Sequence, residues 1–207
     1  MNKITQNNEM NSEMNSEITR ADLMNLEEYA EKRSAFRKKV LKHKKQRQVA
    51  LGPNSTLYFE NKLTLLYQIQ EMLRIEKIFE AEGINEEIAA YSPMVPNGRN
   101  LKATYMIEYE DAEIRAAQLG KMTNIEDLVW IQVEGHDKVW AISDEDLERS
   151  NDVKTSAVHF MRFEFNDNMV KDLKTGADLR MGVQHAIYTY ELEVEGETKI
   201  SLVKDLS

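Results

Sequence analysis

Histidine, glutamate and arginine side chains are the groups of this sequence best suited to chemistry, because the chain contains no cysteine. The absence of thiols excludes disulfides, iron–sulfur clusters, thiolate metal sites and cysteine nucleophiles. The four histidines are far apart, and none follows another at i+3 or i+4; they are His43, His136, His159 and His185. The Glu-x-x-His pattern of di-iron helical bundles is also absent. We therefore expect no metal site and no cofactor.

His159 is the titratable residue that the pattern singles out. It lies in a predicted strand over 157–165, where alternation places it on one face with Met161 and Phe163. An imidazole among apolar side chains can serve as a tuned general base. It can equally be a core histidine that donates to a backbone carbonyl, and we favour this second interpretation.

A second candidate group lies on the predicted helix that contains YQIQEMLRIEK. Glu71 and Arg74 are three residues apart and share one side of this helix. Arginine offers a planar fork of donors that suits a carboxylate or a small anion. A polar pocket between helix and sheet would combine five residues, which are His159, Glu71, Arg74, Glu60 and Glu108. The alternative is an exposed ion-pair surface that binds nothing.

Positive charge is concentrated near the start of the chain. Nine cations fall within residues 32–47, and residues 1–50 carry a net charge of +4 against −13 for residues 51–207, which gives −9 in all. The candidate partner-binding residues are Arg37, Lys38, Lys39, Lys42, Lys45 and Arg47. We expect this helix to be solvated or docked on the acidic row Glu191, Glu193, Glu195 and Glu197, or else to bind an acidic protein. Nucleic acid ranks last, because Phe36 is the only aromatic residue there and the acidic remainder repels phosphate.

Other functional motifs are missing from the sequence. Neither a G-x-S-x-G elbow nor a phosphate-binding G-x-x-x-x-G-K-[ST] loop occurs. The acidic stretch SDEDLERSND lacks the glycine of a calcium loop, and we interpret it as a helix start capped by Ser143. No apolar run approaches the ~20 residues that a membrane helix needs, and the polar start is unlike a signal peptide. These features predict a cytoplasmic protein with no membrane contact.

The arrangement of elements predicts an α+β fold in a single domain, with N-terminal helices and a mainly antiparallel sheet. A low-complexity leader over 1–18 precedes it, a helical part with a small hairpin covers 19–100, and the sheet part covers 101–207. Helical spacing predicts helices from Thr19, over 34–46, over 62–82 with Gly83 as the C-cap, over 85–91, over 111–121 and over 167–175. A last short helix begins near Thr198.

Alternation predicts the strands, including a hairpin over 129–143 about Gly135 and His136. In the register that a two-residue turn gives, Trp130 faces Ala141 and Ile131 faces Trp140. The two tryptophans would then lie on opposite faces of the sheet.

Three long stretches together resemble a bacterial family known only as a domain of unknown function. They are RSAFRKKVLKHKKQRQVALGPNSTLYFEN, LYQIQEMLRIEKIFEAEGI and ISDEDLERSNDVKTSAVHFMRFEF. The resemblance extends from about Thr19 to the C-terminus. Members of this family are often encoded beside rubrerythrin-like and iron–sulfur oxidoreductase proteins, which implies a redox or oxidative-stress setting and such a protein as the partner. The family provides no catalytic residues to carry over.

The residues and the resemblance together predict a non-catalytic accessory or interaction protein in a bacterial redox system. The alternatives are a ligand-binding protein or enzyme that uses the pocket around His159, Glu71 and Arg74, and weak nucleic-acid binding through the basic helix. The sequence does not predict the oligomeric state.

Overall fold

Alternating apolar side chains build two antiparallel sheets in the computed structural model, which describes residues 17–147, 149–151 and 153–207. The five-stranded sheet has the order β1-β2-β3-β7-β6 and the four-stranded sheet the order β5-β4-β8-β9. The strands are β1 (Gln48–Ala50), β2 (Ser55–Glu60), β3 (Asn100–Ile107), β4 (Val129–Val133), β5 (Lys138–Trp140), β6 (Ile142–Ser143), β7 (Val158–Glu164), β8 (Leu179–His185) and β9 (Tyr188–Glu193).

Six α-helices accompany the sheets within these ranges. They are α1 (Leu26–Lys45), α2 (Lys62–Glu76), α3 (Ala81–Tyr91), α4 (Ala112–Leu119), α5 (Asp167–Thr175) and α6 (Gly196–Val203), with 3-10 turns at Arg20–Asp22, Ser92–Met94 and Ile125–Leu128. The prediction of a single-domain α+β fold with antiparallel strands is confirmed. Along the described ranges, no helix combines the length and the apolar character that crossing a membrane requires.

The inner faces of the two sheets share one apolar core. Leu57, Tyr105 and Phe163 of the five-stranded sheet join Ile131 and Met181 of the four-stranded sheet in it, each at most 1% exposed. The helical part has a second apolar cluster, formed by Ile18, Leu65, Ile69, Leu73 and Val95. The predicted leader lies outside the described residues up to position 16, whereas Ile18 is buried in this second cluster.

The N-terminal helices differ from their predicted bounds. Thr19 begins only a 3-10 turn, where its backbone N–H donates to Asp22, and Asn25 caps one continuous helix α1 by accepting from the N–H of Glu28 at 2.8 Å. The helix predicted over 62–82 ends at Glu76. Lys77 adopts the left-handed conformation (φ 56°) and donates to the carbonyl of Leu73, so Lys77 is the C-cap. Gly83 is inside α3 rather than at a helix end.

Later elements follow their predicted positions more closely, except around the two tryptophans. Helix α5 ends at Gly176 (φ 110°) and α6 matches the expected C-terminal helix. The hairpin register was wrong by one residue, because Gln132 pairs with Lys138 and leaves a longer turn than two residues. Trp130 therefore lies opposite Trp140 on the same face. The predicted helix start at Ser143 was also wrong, since Ser143 ends strand β6 and Asp144 takes a left-handed conformation (φ 52°).

Candidate functional site

Helix α1 is fixed near its start by a partly buried cluster around Glu71 of α2, which we call the Glu71 cluster. Glu71 accepts two hydrogen bonds from the guanidinium of Arg33, both 2.7 Å, and one from the hydroxyl of Tyr29 at 2.5 Å. The bidentate geometry gives this ion pair a defined direction. Phe36 extends the contact, with its ring centroid 6.0 Å from that of Tyr67 on α2. The first half of α1 is thus held on α2 and not on the acidic sheet.

The Glu71 cluster perturbs the acidity of its members. Hydrogen bonds from Arg33 lower the pKa of Glu71 to about 2. Burial acts in the opposite direction, and the hydrogen bond from the Tyr29 hydroxyl lowers the pKa further. Burial and the neighbouring carboxylate raise the pKa of Tyr29. Glu71 is therefore a charged structural partner of α1, not an acid that gives up its proton near neutral pH.

Arg47 fixes the other end of α1, immediately after its last turn. Its guanidinium donates to the carbonyls of Phe59 (3.0 Å) and Glu60 (3.1 Å), and its side chain is 1% exposed. It also donates to the carbonyl and hydroxyl of Ser201 and pairs with Asp205 beyond α6. The prediction that Arg47 belongs to the partner-binding surface is wrong, because all of its polar atoms are used inside the fold.

The remaining predicted cations lie on the solvent side of α1. Arg37, Lys38, Lys39, Lys42 and Lys45 are all exposed, and none forms an ion pair with any residue that the structure describes. Val40 on the opposite side is fully buried, which sets the rotation of the helix. We call these five side chains the basic face. Lys38, Lys42 and Lys45 follow the i, i+4, i+7 spacing, so they form one row along the helix surface. Leu41, which is 39% exposed, lies beside this row.

His159 is enclosed in the interior and has no exposed surface. Its Nδ1 lies 2.6 Å from Asp144 Oδ2, and its Nε2 lies 2.9 Å from the hydroxyl of Thr155 and 3.1 Å from the carbonyl of Ser156. The Thr155 hydroxyl is in turn 2.9 Å from Glu126, which is also buried. The contact with a backbone carbonyl agrees with the interpretation of His159 as a core histidine.

The His159 network ties a loop to the five-stranded sheet. Asp144 accepts from the backbone N–H of Phe160 at 3.0 Å, and Arg149 donates to Asp144 at 3.1 Å while it stacks 4.6 Å from the Phe160 ring. Buried polar groups joined in this way hold a segment in one arrangement. Sequence inspection found His159 but missed its partners, although Asp144 belongs to the acidic stretch that was misassigned to a helix.

The structure does not bring the five candidate pocket residues together. His159 points into the core, whereas Glu60 and Glu108 belong to the outer side of the same sheet, where Glu60 accepts from Thr64 and Glu108 lies 3.4 Å from the hydroxyl of Tyr58. Strand alternation is the reason, because it sends neighbouring side chains to opposite faces. On α2, Glu71 faces α1 and Arg74 is exposed.

Two further features bear on ligand binding. A shallow cavity of about 330 Å³ near the start of α1 is lined mainly by apolar side chains, including Leu23, Met24, Ile78 and Phe79, and none of the five candidates lines it. Within the described ranges, no three histidine, aspartate or glutamate side chains converge in a way that could hold a metal ion.

Comparison with known proteins gives a family without an assigned function. Residues 17–206 match the model of the family described as "Protein of unknown function (DUF3501)". A solved structure from Burkholderia pseudomallei, a novel protein of unknown function, is 46% identical and superposes with a TM-score of 0.86. The similarity covers 92% of this chain and 99% of that one. No curated protein matches the chain.

Proposed function

We propose that this chain, which belongs to the DUF3501 family of proteins of unknown function, is a non-catalytic accessory protein that binds an acidic partner protein through the basic face of α1. One observation supports this most directly. Five cations are exposed on one helix without an ion pair to any described residue, in a chain whose net charge is −9. Unpaired charge of one sign on a surface favours a partner of the opposite sign.

The placement of α1 supports the same proposal. The Glu71 cluster and Arg47 hold the helix at both ends, so the basic face is a preformed surface. A surface that is already ordered loses less conformational entropy on binding than a flexible arm would. The chemistry expected of the partner is a row of carboxylates, and by the family resemblance that partner is a rubrerythrin-like or iron–sulfur oxidoreductase protein of a cytoplasmic redox system.

The competing enzyme hypothesis lacks comparable support. It requires His159 to reach a substrate, but His159 has no exposed surface and its ring nitrogens contact groups of the protein itself. Nucleic acid remains the weaker alternative for the basic face, since no exposed aromatic side chain accompanies these cations on α1.

Binding of a purified rubrerythrin-like protein from the same organism tests the proposal. The triple variant Lys38→Glu/Lys39→Glu/Lys42→Glu should lower the affinity at least tenfold, and the affinity of the natural chain should fall as salt rises. The matched control is Lys121→Glu/Lys171→Glu/Lys174→Glu, which reverses three exposed lysines outside the basic face. Unchanged affinity of the triple variant would show that the basic face is not the docking surface.

A further inference from the structure

An acidic surface adjoins the basic face at the end of α1. Glu193 and Glu195 are exposed, and neither pairs with a cation anywhere in the part of the chain that the structure describes. Glu193 belongs to β9, the edge strand of the four-stranded sheet, and Glu195 directly precedes α6. Gln46, the residue that follows α1, donates its side-chain amide to Glu197 on α6 at 2.7 Å, so the end of α1 lies against the start of α6. We call Glu193 and Glu195 the acidic edge.

We infer that the basic face of one copy of this chain docks on the acidic edge of a second copy, and that a two-fold axis repeats this contact to give a closed dimer. The occupant is chosen by charge complementarity and proximity: among the described residues the basic face and the acidic edge both lack ion pairs, and Gln46 and Glu197 join the elements that carry them. A two-fold axis places each surface against its opposite. An arrangement that set the basic face of one copy against the basic face of the other would instead bring like charges together.

The spacing of the two charged rows agrees with this contact. Lys38 and Lys42 are separated by about 6 Å along the axis of α1, since a helix rises about 1.5 Å per residue. Alternate residues of an extended chain such as Glu193 and Glu195 are separated by about 6.8 Å. Two lysines can therefore meet two carboxylates with little adjustment of their long side chains.

Exposed apolar side chains occur on α1 and on α6, the helix that follows the acidic edge. Leu41 is 39% exposed beside Lys42, and Ile200 is 60% exposed on α6, one turn after Glu197. Burial of such residues adds a contribution that salt does not screen. We therefore expect the dimer to weaken with salt without depending on charge alone.

The dimer would cover the surface that the partner protein needs, so self-association and partner binding should compete. This inference does not depend on the partner's identity. The dimer depends on contact between two surfaces of this chain, whereas the proposed function depends on contact between the basic face and another protein.

Sedimentation of the natural chain over a range of concentrations and salt tests the inference. We expect a monomer–dimer equilibrium that stops at two copies and weakens about tenfold between low and high salt. A monomer at every concentration, or growth beyond two copies, would overturn it.

Charge reversal makes the test sharper. Lys38→Glu/Lys42→Glu and Glu193→Lys/Glu195→Lys should each be monomeric alone, and an equimolar mixture should dimerise, because both crossed contacts are then complementary. The control Lys171→Glu/Lys174→Glu should dimerise as the natural chain does, and circular dichroism confirms that each variant is folded. A mixture that stays monomeric, or single variants that still dimerise, would refute the contact.

The two proposals fail separately. The variant Glu193→Lys/Glu195→Lys keeps the basic face intact, so it should bind the partner protein at least as tightly as the natural chain. If it is monomeric and binds no partner, the dimer stands and the proposed function fails.

Discussion

Replacement of Arg47 by methionine should destabilise the protein far more than the same replacement of any cation of the basic face. Arg47 is 1% exposed and its charge is paired with Asp205, whose side chain is 10% exposed. Burial is the main influence on Asp205 and raises its pKa, while Arg47 opposes that increase. Arg47→Met therefore leaves a buried carboxylate without its counter-ion.

The expected cost follows from the contacts that are lost. Removing one partner of a buried ion pair costs about 3–5 kcal/mol of the free energy of unfolding. The carbonyls of Phe59, Glu60 and Ser201 also lose a donor, so the upper part of this range applies. The exposed Lys45, two residues earlier, serves as the control, and Lys45→Met should change stability by less than about 0.5 kcal/mol.

Urea denaturation followed by circular dichroism measures both variants. The penalty of Arg47→Met should shrink as the pH falls, because protonation removes the unpaired charge of Asp205 and the loss of Arg47 raises the pKa of that carboxyl further. Adding Asp205→Leu should recover much of the stability, since an apolar pair can replace a buried ion pair. A cost below about 1 kcal/mol for Arg47→Met would refute the assignment of Arg47 as a buried anchor.

Three other substitutions probe the remaining parts of the fold. Glu71→Gln should cost about 1–2 kcal/mol of the free energy of unfolding at pH 7, after allowance for solvent screening. In urea denaturation the difference from the natural chain should diminish as the pH falls from 4.5 to about 2, because the charged form of Glu71, whose pKa is lowered to about 2, contributes its full stability only above pH 4.5. Gly182→Ala should cost about 1–3 kcal/mol and shift the tryptophan fluorescence, since a Cβ there would lie 2.5 Å from the Trp130 ring; an unchanged spectrum would contradict this contact. His159→Phe should cost about 1–3 kcal/mol in thermal or urea unfolding, because the buried groups of Asp144 and Thr155 each lose a hydrogen-bond partner, and near-natural stability would show that the network is not structural.

Local patterns were sufficient to predict several elements of the fold. The period-two pattern of β7 placed His159 inward correctly, and Gly176 marked the end of α5. In both cases neighbours in the sequence determine the conformation. The hairpin shows the limit of this approach: its register depends on the length of the turn, and Gly182 on β8 makes room for the ring of Trp130. Gly182 is 52 positions from Trp130, so hairpin residues alone could not reveal it.

The candidate site was predictable only in its exposed part. The basic face follows from composition and helical spacing, because an exposed cation needs no specific neighbour. Arg47 looks like another member of that series in the sequence. Its burial depends on acceptors that lie up to 158 residues away, at Asp205, and no local pattern records such a contact. The break of the predicted long helix at Lys77 was missed for a similar reason, since a lysine at a left-handed C-cap gives no glycine signal.

The two anchors of α1 differ in chemistry, and this difference has a consequence for binding. The Glu71 cluster is half-buried and electrostatic, while the Arg47 anchor is buried and includes backbone carbonyls. Rising salt screens the first more than the second. High salt should therefore weaken partner binding in two ways, by screening the basic face and by loosening the start of α1. Replacing single lysines affects only the first of these, so their effects on affinity should be smaller than the salt dependence suggests.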